Sequence, residues 1–261
     1  MTVHGRAFDT PVLKLDEIDS TNAECLRRAQ SGERGPLWIV AERQTAGRGR
    51  SGRSWSQAGG NFAASFLFVP DGPLGALHQL ALLCGVAVHE AIDRAAGGAV
   101  PTLRLKWPND ILVGHAKAGG ILVEAATWRG TTVAVAGIGL NIVHAPAIGG
   151  RTVARLGDYA GGLTSEAMLA ALDAAMHRWL GVWQGGAGFG QIRNAWLART
   201  GAAGEHLSVN AGAERIEGTF HGIDDGGALL LRLADGSLRR LTYGDVSLAG
   251  AAGTPVKGQG Q

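Results

Sequence analysis

Apolar residues recur at helical spacing in several segments of the chain. Between Leu77 and Ala96 they fall three or four positions apart, and two later segments repeat this pattern in amphipathic form. An earlier segment has Thr21 followed three residues later by Glu24, which fits a capping box at the start of a helix. The pattern therefore predicts helices over Thr21–Gln30, Leu77–Ala96, Thr164–Trp183 and Phe189–Leu197.

Short apolar runs between these helices predict strands. Before residue 140 they are Leu37–Glu42, Phe62–Val69, Leu103–Trp107, Ile111–Val113, Gly120–Ala126 and Thr132–Ile138. Leu207–Leu248 differs because its strands are shorter and Gly-rich turns separate them, which is typical of a small β-barrel. The order of elements predicts an α+β chain with a large domain over residues 1–204, a small domain over 205–250 and a flexible, frayed tail over 251–261.

Composition indicates a compact globular protein rather than a disordered or fibrous one. Of 261 residues, 46% are hydrophobic and 18% are charged, and the 42 glycines follow no period. The formal net charge of +2 is too small for the molecule as a whole to be an obvious nucleic-acid binder. The two cysteines are too few for a disulfide framework and suggest a reducing compartment.

The chain shows no targeting or membrane-spanning pattern. Its N-terminal residues contain no continuous apolar region followed by a cleavage site. Leu74–Ile92 comes closest to a membrane span, but His78, Gln79, His89 and Glu90 interrupt it. We therefore expect a cytoplasmic protein without a membrane partner.

The most cationic segment is a predicted loop, Arg43–Asn61, rich in Gly, Arg and Ser. Within it, Gly47–Trp55 alternates glycine with arginine, so backbone N–H groups can face an anion while guanidinium groups clamp it. Trp55 offers a flat face on which a base can stack. A solvated, flexible loop that binds nucleic acid weakly explains these residues equally well. A loop of this length without its own structure tends to be functional or disordered.

Three shorter motifs are ambiguous when taken singly. Lys106–Asp110 is a turn whose last two residues can project into a cleft, although an ordinary turn is the simpler interpretation. Lys117, before a Gly-Gly pair at a strand mouth, can stabilise developing negative charge, yet most such lysines are surface residues. Gly137–Asn141 opens space beside a strand end for a ligand, and glycine-rich strand ends are also common. The Gly137–Asn141 motif lacks the third glycine of the dinucleotide-binding fingerprint, which argues against a Rossmann fold.

In order and spacing, these motifs together resemble the biotin protein ligase family. That family shows a Ser-Thr-Asn helix start, a GRGRxGRxW loop, a KWPND turn, a K-x-x-G-I-L-x-E strand and a G-x-G-x-N strand end. All five occur here in order, at Ser20–Asn22, Gly47–Trp55, Lys106–Asp110, Lys117–Glu124 and Gly137–Asn141. Gly222–Leu231 and Gly244–Leu248 resemble the family's SH3-like C-terminal domain. The resemblance extends over residues 13–249.

The resemblance implies a fold and a reaction. The fold is a class II aminoacyl-tRNA synthetase-like catalytic domain, a mixed β-sheet flanked by helices, with a small SH3-like β-barrel after it. The reaction uses ATP and Mg²⁺: the carboxylate of biotin attacks the α-phosphate, giving biotinyl-AMP and pyrophosphate. The ε-amine of a lysine on a biotin carboxyl carrier domain, such as that of acetyl-CoA carboxylase, then displaces AMP. The arginine-rich loop is expected to be mobile without ligands and ordered around the intermediate.

The resemblance also implies which residues act. Lys117, Arg48 and Arg50 are expected to be catalytic. Biotin contacts are expected from Ser20, Thr21, Asn22, Gln44, Gly47, Arg48, Gly49, Arg50, Lys117, Gly120, Gly137 and Gly139. ATP contacts are expected from Arg53, Trp55, Lys106, Asn109, Asp110 and Asn141. The Mg²⁺ ligands are not identified.

Two departures from the family pattern and two alternatives remain. Ser51 stands where some members have another basic residue, and the helix-start motif begins at Asp19. That early start leaves little chain for the DNA-binding domain of the repressor members and predicts the ligase-only form, without a nucleic-acid partner. The alternatives are a lipoate ligase, which shares the fold, and a non-enzymatic biotin- or nucleic-acid-binding regulator. The GRGR loop and the KWPND turn favour biotin. The chain fits either a monomer or a homodimer.

Overall fold

A computed structural model describes residues 9–146 and 152–248 and has an α+β fold. Its larger part contains β1 (Val12–Ile18), α1 (Thr21–Gln30), β2 (Leu37–Gln44), β3 (Phe62–Phe68), α2 (Leu80–Ala95), β4 (Leu103–Lys106), β5 (Asp110–Val113), β6 (Ala116–Trp128), β7 (Thr131–Leu140), α3 (Ser165–Trp183) and α4 (Phe189–Leu197). Its smaller part contains β8 (His206–Ala211), β9 (Glu214–Ile223), β10 (Leu229–Arg232), β11 (Leu238–Leu241) and β12 (Asp245–Leu248). The predicted boundary between residues 204 and 205 falls between α4 and β8 and stays a prediction.

The larger part is built on a mixed seven-stranded sheet in the order β1-β2-β3-β7-β6-β5-β4. β1 runs parallel to β2, and the other neighbours pair antiparallel. Helices cover both faces, since Phe62 and Phe66 belong to the core formed with α2 and α3, whereas Leu67 packs with Cys25 of α1. Every residue of β3 is therefore buried. The predicted α+β class with a mixed, helix-flanked sheet is confirmed.

The smaller part is an antiparallel five-stranded sheet in the order β11-β10-β9-β8-β12. It agrees with the predicted small C-terminal β-domain. Its apolar residues, among them Val246, continue the same buried core as the larger part. Trp107 of the larger part donates its indole N–H to the carbonyl of Gly227 at 3.1 Å, in the turn before β10. The small sheet is thus attached to the large one through both apolar and polar contacts.

The start of α1 corrects the predicted capping box. Ser20, not Thr21, has the extended N-cap backbone, and its hydroxyl accepts the N–H of Ala23 at 3.5 Å. Glu24 instead pairs with Arg27 and Arg28 on the helix surface. The helix therefore begins one residue earlier than a Thr21 cap would place it, and the Thr21 side chain faces the sheet.

Strand limits also differ from the sequence pattern. β1 was not predicted, and β6 begins at Ala116, so Lys117 lies inside a strand rather than just before one. β7 continues to Leu140. The loop after β2 is not without structure, because it contains a short 3₁₀ turn at Arg50–Gly52 and a bridge between Arg48 and Ser54. The predicted tail, residues 251–261, lies outside the described residues.

One helical stretch, Leu74–Ala95, is long and apolar enough to cross a membrane by length and composition. It consists of a 3₁₀ segment, Leu74–Gln79, followed by α2. Within its most apolar window 61% is buried, and α2 packs against α3 and the large sheet. These contacts are those of a core helix.

Candidate functional site

A single cleft collects the motifs that the sequence singles out. It opens where the start of α1, the loop after β2, the β4–β5 turn, β6, β7 and β12 meet, and its empty volume out to the mouth is about 960 Å³. The lining comprises Ser20, Thr21, Asn22, Gln44, Arg48, Gly49, Arg50, Arg53, Ser54, Trp55, Lys106, Trp107, Pro108, Asn109, Asp110, Lys117, Gly120, Ile121, Leu122, Gly137, Ile138, Gly139, Asp245 and Val246.

One wall of the cleft is polar and uncharged. The backbone N–H of Thr21 donates to Gln44 Oε1 at 2.9 Å, and the Thr21 hydroxyl lies 3.2 Å from the same oxygen. Behind them, Ser65 Oγ lies 2.7 Å from Thr21 Oγ1 and 2.6 Å from Asn22 Oδ1. Thr21, Asn22 and Ser65 are all buried. Because buried polar groups are stable only when hydrogen-bonded, this wall is held in one arrangement.

Glu124 of β6 joins the polar wall to the arginine loop. Its Oε2 accepts from Asn22 Nδ2 at 2.8 Å and from Arg48 Nη2 at 2.9 Å. Arg48 is the first arginine of the loop that follows β2. One carboxylate oxygen therefore ties a loop guanidinium to the start of α1.

Glycines on β6 and β7 leave room for the side chains above them. A Cβ built on Gly139 would lie 2.4 Å from the Trp55 ring, and one on Gly137 would lie 2.0 Å from Asn22 Oδ1. Real Cβ atoms do not approach so closely, so any side chain at either position would displace Trp55 or Asn22. The indole of Trp55 also lies 6.0 Å from Lys117 Nζ.

The opposite wall is cationic around one buried carboxylate. Asp110, at the start of β5, pairs with Lys106 at 2.8 Å and with Lys117. Burial alone would raise the pKa of Asp110, but the two ammonium groups outweigh it and lower the pKa to about 2. Asp110 is therefore ionised, and it holds both lysines at the floor of the cleft.

The small C-terminal sheet supplies the third wall. Arg53 Nη2 donates to Asp245 Oδ1 at 2.6 Å, and Arg50 Nη2 donates to the carbonyl of Gly244 at 3.2 Å. Lys106 Nζ donates to the carbonyl of Val246 at 2.7 Å. Burial lowers the pKa of the Arg50 guanidinium, while nearby Asp245 acts in the opposite direction. The cleft is thus closed by two parts of the chain far apart in sequence.

Charge in the cleft favours an anionic ligand. Its lining carries five cationic side chains and two carboxylates. The cations are Arg48, Arg50, Arg53, Lys106 and Lys117, and the carboxylates are Asp110 and Asp245. An excess of positive charge at low dielectric attracts carboxylates and phosphates strongly. Asn109 helps to fix this wall, since its Oδ1 accepts from Arg50 at 3.0 Å.

Two of the residues expected to contact a ligand are not among those that line the cleft, and their ligand contacts stay predictions. Asn141 is buried at the end of β7, where its Nδ2 lies 3.5 Å from the carbonyl of Lys117, and it does not line the cleft. Gly47 is also absent from the lining, and a Cβ there would lie 2.5 Å from the carbonyl oxygen of Trp55. Asn141 lies beside Lys117 and Gly47 lies beside Trp55, so each can act by positioning that neighbour.

Several lining residues were not predicted. They are Ser54, Trp107, Pro108, Ile121, Leu122, Ile138, Asp245 and Val246. The first six lie inside or beside the motifs, and the motif boundaries could have suggested them. Asp245 and Val246 belong to the small domain. Their segment, Gly244–Leu248, resembles the family's C-terminal domain, but that resemblance does not place them at the cleft.

Neither cysteine belongs to the cleft. Cys25 and Cys84 are free thiols with no exposed surface. Burial raises the pKa of each thiol to about 12. Both are therefore protonated at neutral pH, and neither is a nucleophile.

Two family models match the chain. The model of the Biotin/lipoate A/B protein ligase family matches residues 15–142. The model of the Biotin protein ligase C terminal domain matches residues 203–249. Every residue that lines the cleft lies within one of these two ranges.

Known proteins resemble the chain over most of its length. The biotin--[acetyl-CoA-carboxylase] ligase of Paracoccus denitrificans is 40% identical over 84% of this chain and 92% of its own. The bifunctional ligase/repressor of Bacillus subtilis is 34% identical over 89% of this chain and 72% of its own. A solved biotin protein ligase from Aquifex aeolicus, in complex with biotin and ATP, has a TM-score of 0.75 at 26% identity, covering 91% and 98% of the two chains. The similarity includes both sheets.

Proposed function

The chain belongs to the biotin protein ligase family, and we propose that it activates biotin with ATP and transfers it to a lysine of a biotin carboxyl carrier domain. One observation carries this proposal. A single cleft places an uncharged hydrogen-bonding wall, at Thr21 and Gln44, next to a cationic wall that includes Lys117. A molecule with a polar ring at one end and a carboxylate at the other fits both walls.

The polar wall suits the ureido ring of biotin. That ring carries two N–H donors and one carbonyl acceptor. Gln44 has both an acceptor and a donor group, and the hydroxyls of Ser20 and Thr21 can play either part. Lipoate presents a dithiolane ring, which cannot use the hydrogen-bonding capacity that these groups have left after their contacts within the protein, at a cost of about 1–3 kcal/mol for each group left unsatisfied. The polar wall therefore favours biotin over lipoate.

The cationic wall suits the first chemical step. A carboxylate oxygen of biotin must attack the α-phosphorus of ATP while the bond to pyrophosphate breaks. Both partners are anions, so the protein has to offset their repulsion and hold them in line. We assign this work to Lys117, Arg48 and Arg50, with Arg53 and Lys106 on the side of the leaving pyrophosphate. Trp55 lies over Gly139 of β7 and offers its ring to the adenine.

The second step needs no enzyme nucleophile. The amine of the carrier lysine attacks the acyl carbon of biotinyl-AMP, the bond to the phosphate oxygen breaks, and AMP leaves with the electron pair. The buried, protonated thiols of Cys25 and Cys84 are consistent with direct transfer. Both walls hold the mixed anhydride away from water until the lysine arrives.

Mg²⁺ is proposed as a companion of the nucleotide. Among the described residues no group of three His, Cys, Asp or Glu side chains could hold a metal ion. The cleft offers two carboxylates, Asp110 and Asp245, which are paired with lysines and with Arg53. Mg²⁺ commonly binds through one or two carboxylates plus phosphate oxygens and waters. The residues fit an ion that arrives on ATP, where it would neutralise phosphate charge.

Two further features of the proposal concern the setting. We place the enzyme in the cytoplasm, which the two free thiols support. The carrier partner is the biotin-accepting domain of a carboxylase, because the Paracoccus denitrificans relative is a biotin--[acetyl-CoA-carboxylase] ligase.

Transfer to a carrier tests the proposal. The purified chain is incubated with biotin, ATP, Mg²⁺ and a biotin carboxyl carrier domain, and the intact carrier is weighed by mass spectrometry. We expect the mass of one biotinyl group to be added to the carrier. A carrier with its acceptor lysine changed to arginine should stay unmodified. Absence of transfer to the normal carrier, while a known ligase modifies it, would refute the proposed function.

A further inference from the structure

Asn61 is a buried polar residue that the proposed reaction does not use. It ends the loop after β2, one position before β3, and only 5% of it is exposed. It does not line the cleft. Its Oδ1 accepts the backbone N–H groups of Ile142, Val143 and His144 at 3.0, 2.9 and 2.9 Å, and its Nδ2 donates to the carbonyl of His144 at 2.7 Å. One amide therefore holds four main-chain groups of the bend at residues 142–144.

Lys117 takes its main-chain partners from a separate segment of the chain. β7 ends opposite Gly119, so Lys117, two residues earlier in β6, lies beyond the last pair of these strands. There the strap (residues 152–157) takes the place of β7. The N–H of Lys117 donates to the carbonyl of Thr152, and the N–H of Ala154 donates to the carbonyl of Lys117, both at 2.9 Å. The main chain of the proposed catalytic lysine is thus held by the strap.

The bend in turn holds the strap. The N–H of Leu156 donates to the carbonyl of Asn141 at 2.8 Å, and the N–H of Gly157 donates to the carbonyl of Ile142 at 2.9 Å. A Cβ built on Gly157 would lie 2.7 Å from the Ile142 oxygen, so the two segments are in close main-chain contact. A series of hydrogen bonds therefore runs from Asn61 through the bend and the strap to the catalytic lysine.

We propose that Asn61 is a positioning residue that sets the place of Lys117 in the cleft. The inference rests on the proposed function, because it concerns how the same cleft holds its catalytic lysine. Loss of the Asn61 amide leaves the N–H of buried Ile142 without an acceptor, so the bend has to rearrange and the strap with it. A shift of about 1 Å in a reacting group can lower a rate about hundredfold.

Two variants of similar volume separate hydrogen bonding from packing. Leucine at position 61 has no hydrogen-bonding group, whereas aspartate keeps an acceptor for the three N–H groups. Both are compared with the parent in biotin-dependent pyrophosphate exchange, with active sites counted by calorimetric titration of biotin. We expect Asn61→Leu to lower kcat about tenfold to hundredfold and to leave the KM for biotin within about threefold. Asn61→Asp should keep at least about a third of the parent's kcat. Asn61→Ala replaces Asn61→Leu if the latter does not fold.

A double-mutant cycle tests the route through the lysine. In the Lys117→Ala background, Asn61→Leu should change the residual exchange by no more than about twofold, because no lysine is left to misplace. Asp173→Ala is the matched control. Asp173 is also buried, and it accepts the backbone N–H groups of Asp9 and Thr10 away from the cleft. Its loss should lower the unfolding temperature and leave kcat per active site within about twofold.

The possible results are distinct. A parent-like kcat in Asn61→Leu overturns the inference, and so does an equal loss in Asn61→Leu and Asn61→Asp. Effects of Asn61→Leu and Lys117→Ala that multiply also overturn it, because Asn61 would then act by a route other than Lys117. A parent without biotin-dependent exchange refutes the proposed function itself, and the inference with it.

Discussion

At the scale of single residues, the cleft depends on side chains that serve two partners at once. Glu124 accepts from both Asn22 and Arg48, and Asp110 holds both Lys106 and Lys117. Such shared groups make the positions of the reacting side chains interdependent. Changing one of these carboxylates should therefore disturb both of the side chains that it holds.

Glu124→Gln should weaken the binding of biotin. Glutamine keeps the shape and an acceptor oxygen but removes the negative charge, so its hydrogen bonds to Asn22 and Arg48 are weaker than those of the carboxylate. Because both charged groups are partly exposed, we expect only about a threefold to tenfold rise in the KM for biotin, with little change in the KM for ATP. Glu166→Gln, which affects an exposed pair with Lys14, is the control. Equal biotin KM values in parent and Glu124→Gln would show that Glu124 does not position Arg48.

Asp110 should make stability depend on pH in the acid range. Its pKa is lowered from 3.8 to about 2 in the folded protein. A lowered carboxyl pKa contributes stability above the unfolded value, and that contribution is lost as pH falls through the folded value. We therefore expect the free energy of unfolding, measured with urea, to fall between about pH 4 and pH 2. Asp110→Asn should make the free energy of unfolding less dependent on pH in that range. An unchanged dependence would argue against Asp110 as the group that titrates there.

At the scale of elements, the start of α1 has both a structural and a functional role. Ser20 caps the helix and lines the cleft, whereas Thr164 caps α3 and does not line the cleft. Ser20→Ala and Thr164→Ala should each lower the free energy of unfolding by about 1 kcal/mol. The Ser20 contact is the longer of the two, 3.5 Å against 3.1 Å, so its loss should cost less.

Biotin binding should separate these two caps. We expect Ser20→Ala alone to raise the dissociation constant for biotin, measured by calorimetry beside thermal unfolding of both variants. If both variants bind biotin like the parent, Ser20 is a cap and nothing more. If both lose affinity equally, the loss reflects stability rather than contact.

The elements show what periodicity can and cannot predict. α4 agrees with the sequence pattern to the residue, because apolar spacing alone defines it. β1 was missed because Lys14, Asp16 and Glu17 interrupt its apolar residues on an edge strand. The start of β6 was missed because glycines there remove the alternation that marks a strand.

The site was predictable where it is encoded locally. Thr21, Arg48, Lys106 and Lys117 lie in short motifs, and the structure brings them to one cleft. Ser65 carries no such signal, since one hydroxyl in an apolar strand has no pattern of its own. Asp245 was missed because its place depends on how the small sheet packs against the large one, which is a contact between distant parts of the sequence.

At the scale of the whole molecule, the small C-terminal sheet completes the cleft. Its Asp245 competes with any phosphate for Arg53, because the two are joined at 2.6 Å. Asp245→Asn should therefore lower the KM for ATP about twofold to threefold at low salt, and the difference should shrink as salt screens it. Asp225→Asn, at a fully exposed position of the same domain, should have no effect. A higher KM for ATP in Asp245→Asn would instead mean that Asp245 holds Arg53 in its working position.

The central claim is that this cleft forms an acyl-adenylate from biotin. It is tested most directly by biotin-dependent exchange of labelled pyrophosphate into ATP, with lipoate as the control acid. We expect exchange with biotin and none with lipoate. Lys117→Ala should reduce the exchange by about two orders of magnitude or more, while Lys14→Ala, at an exposed position of β1, should not. No exchange with biotin, or full exchange in Lys117→Ala, would contradict the account.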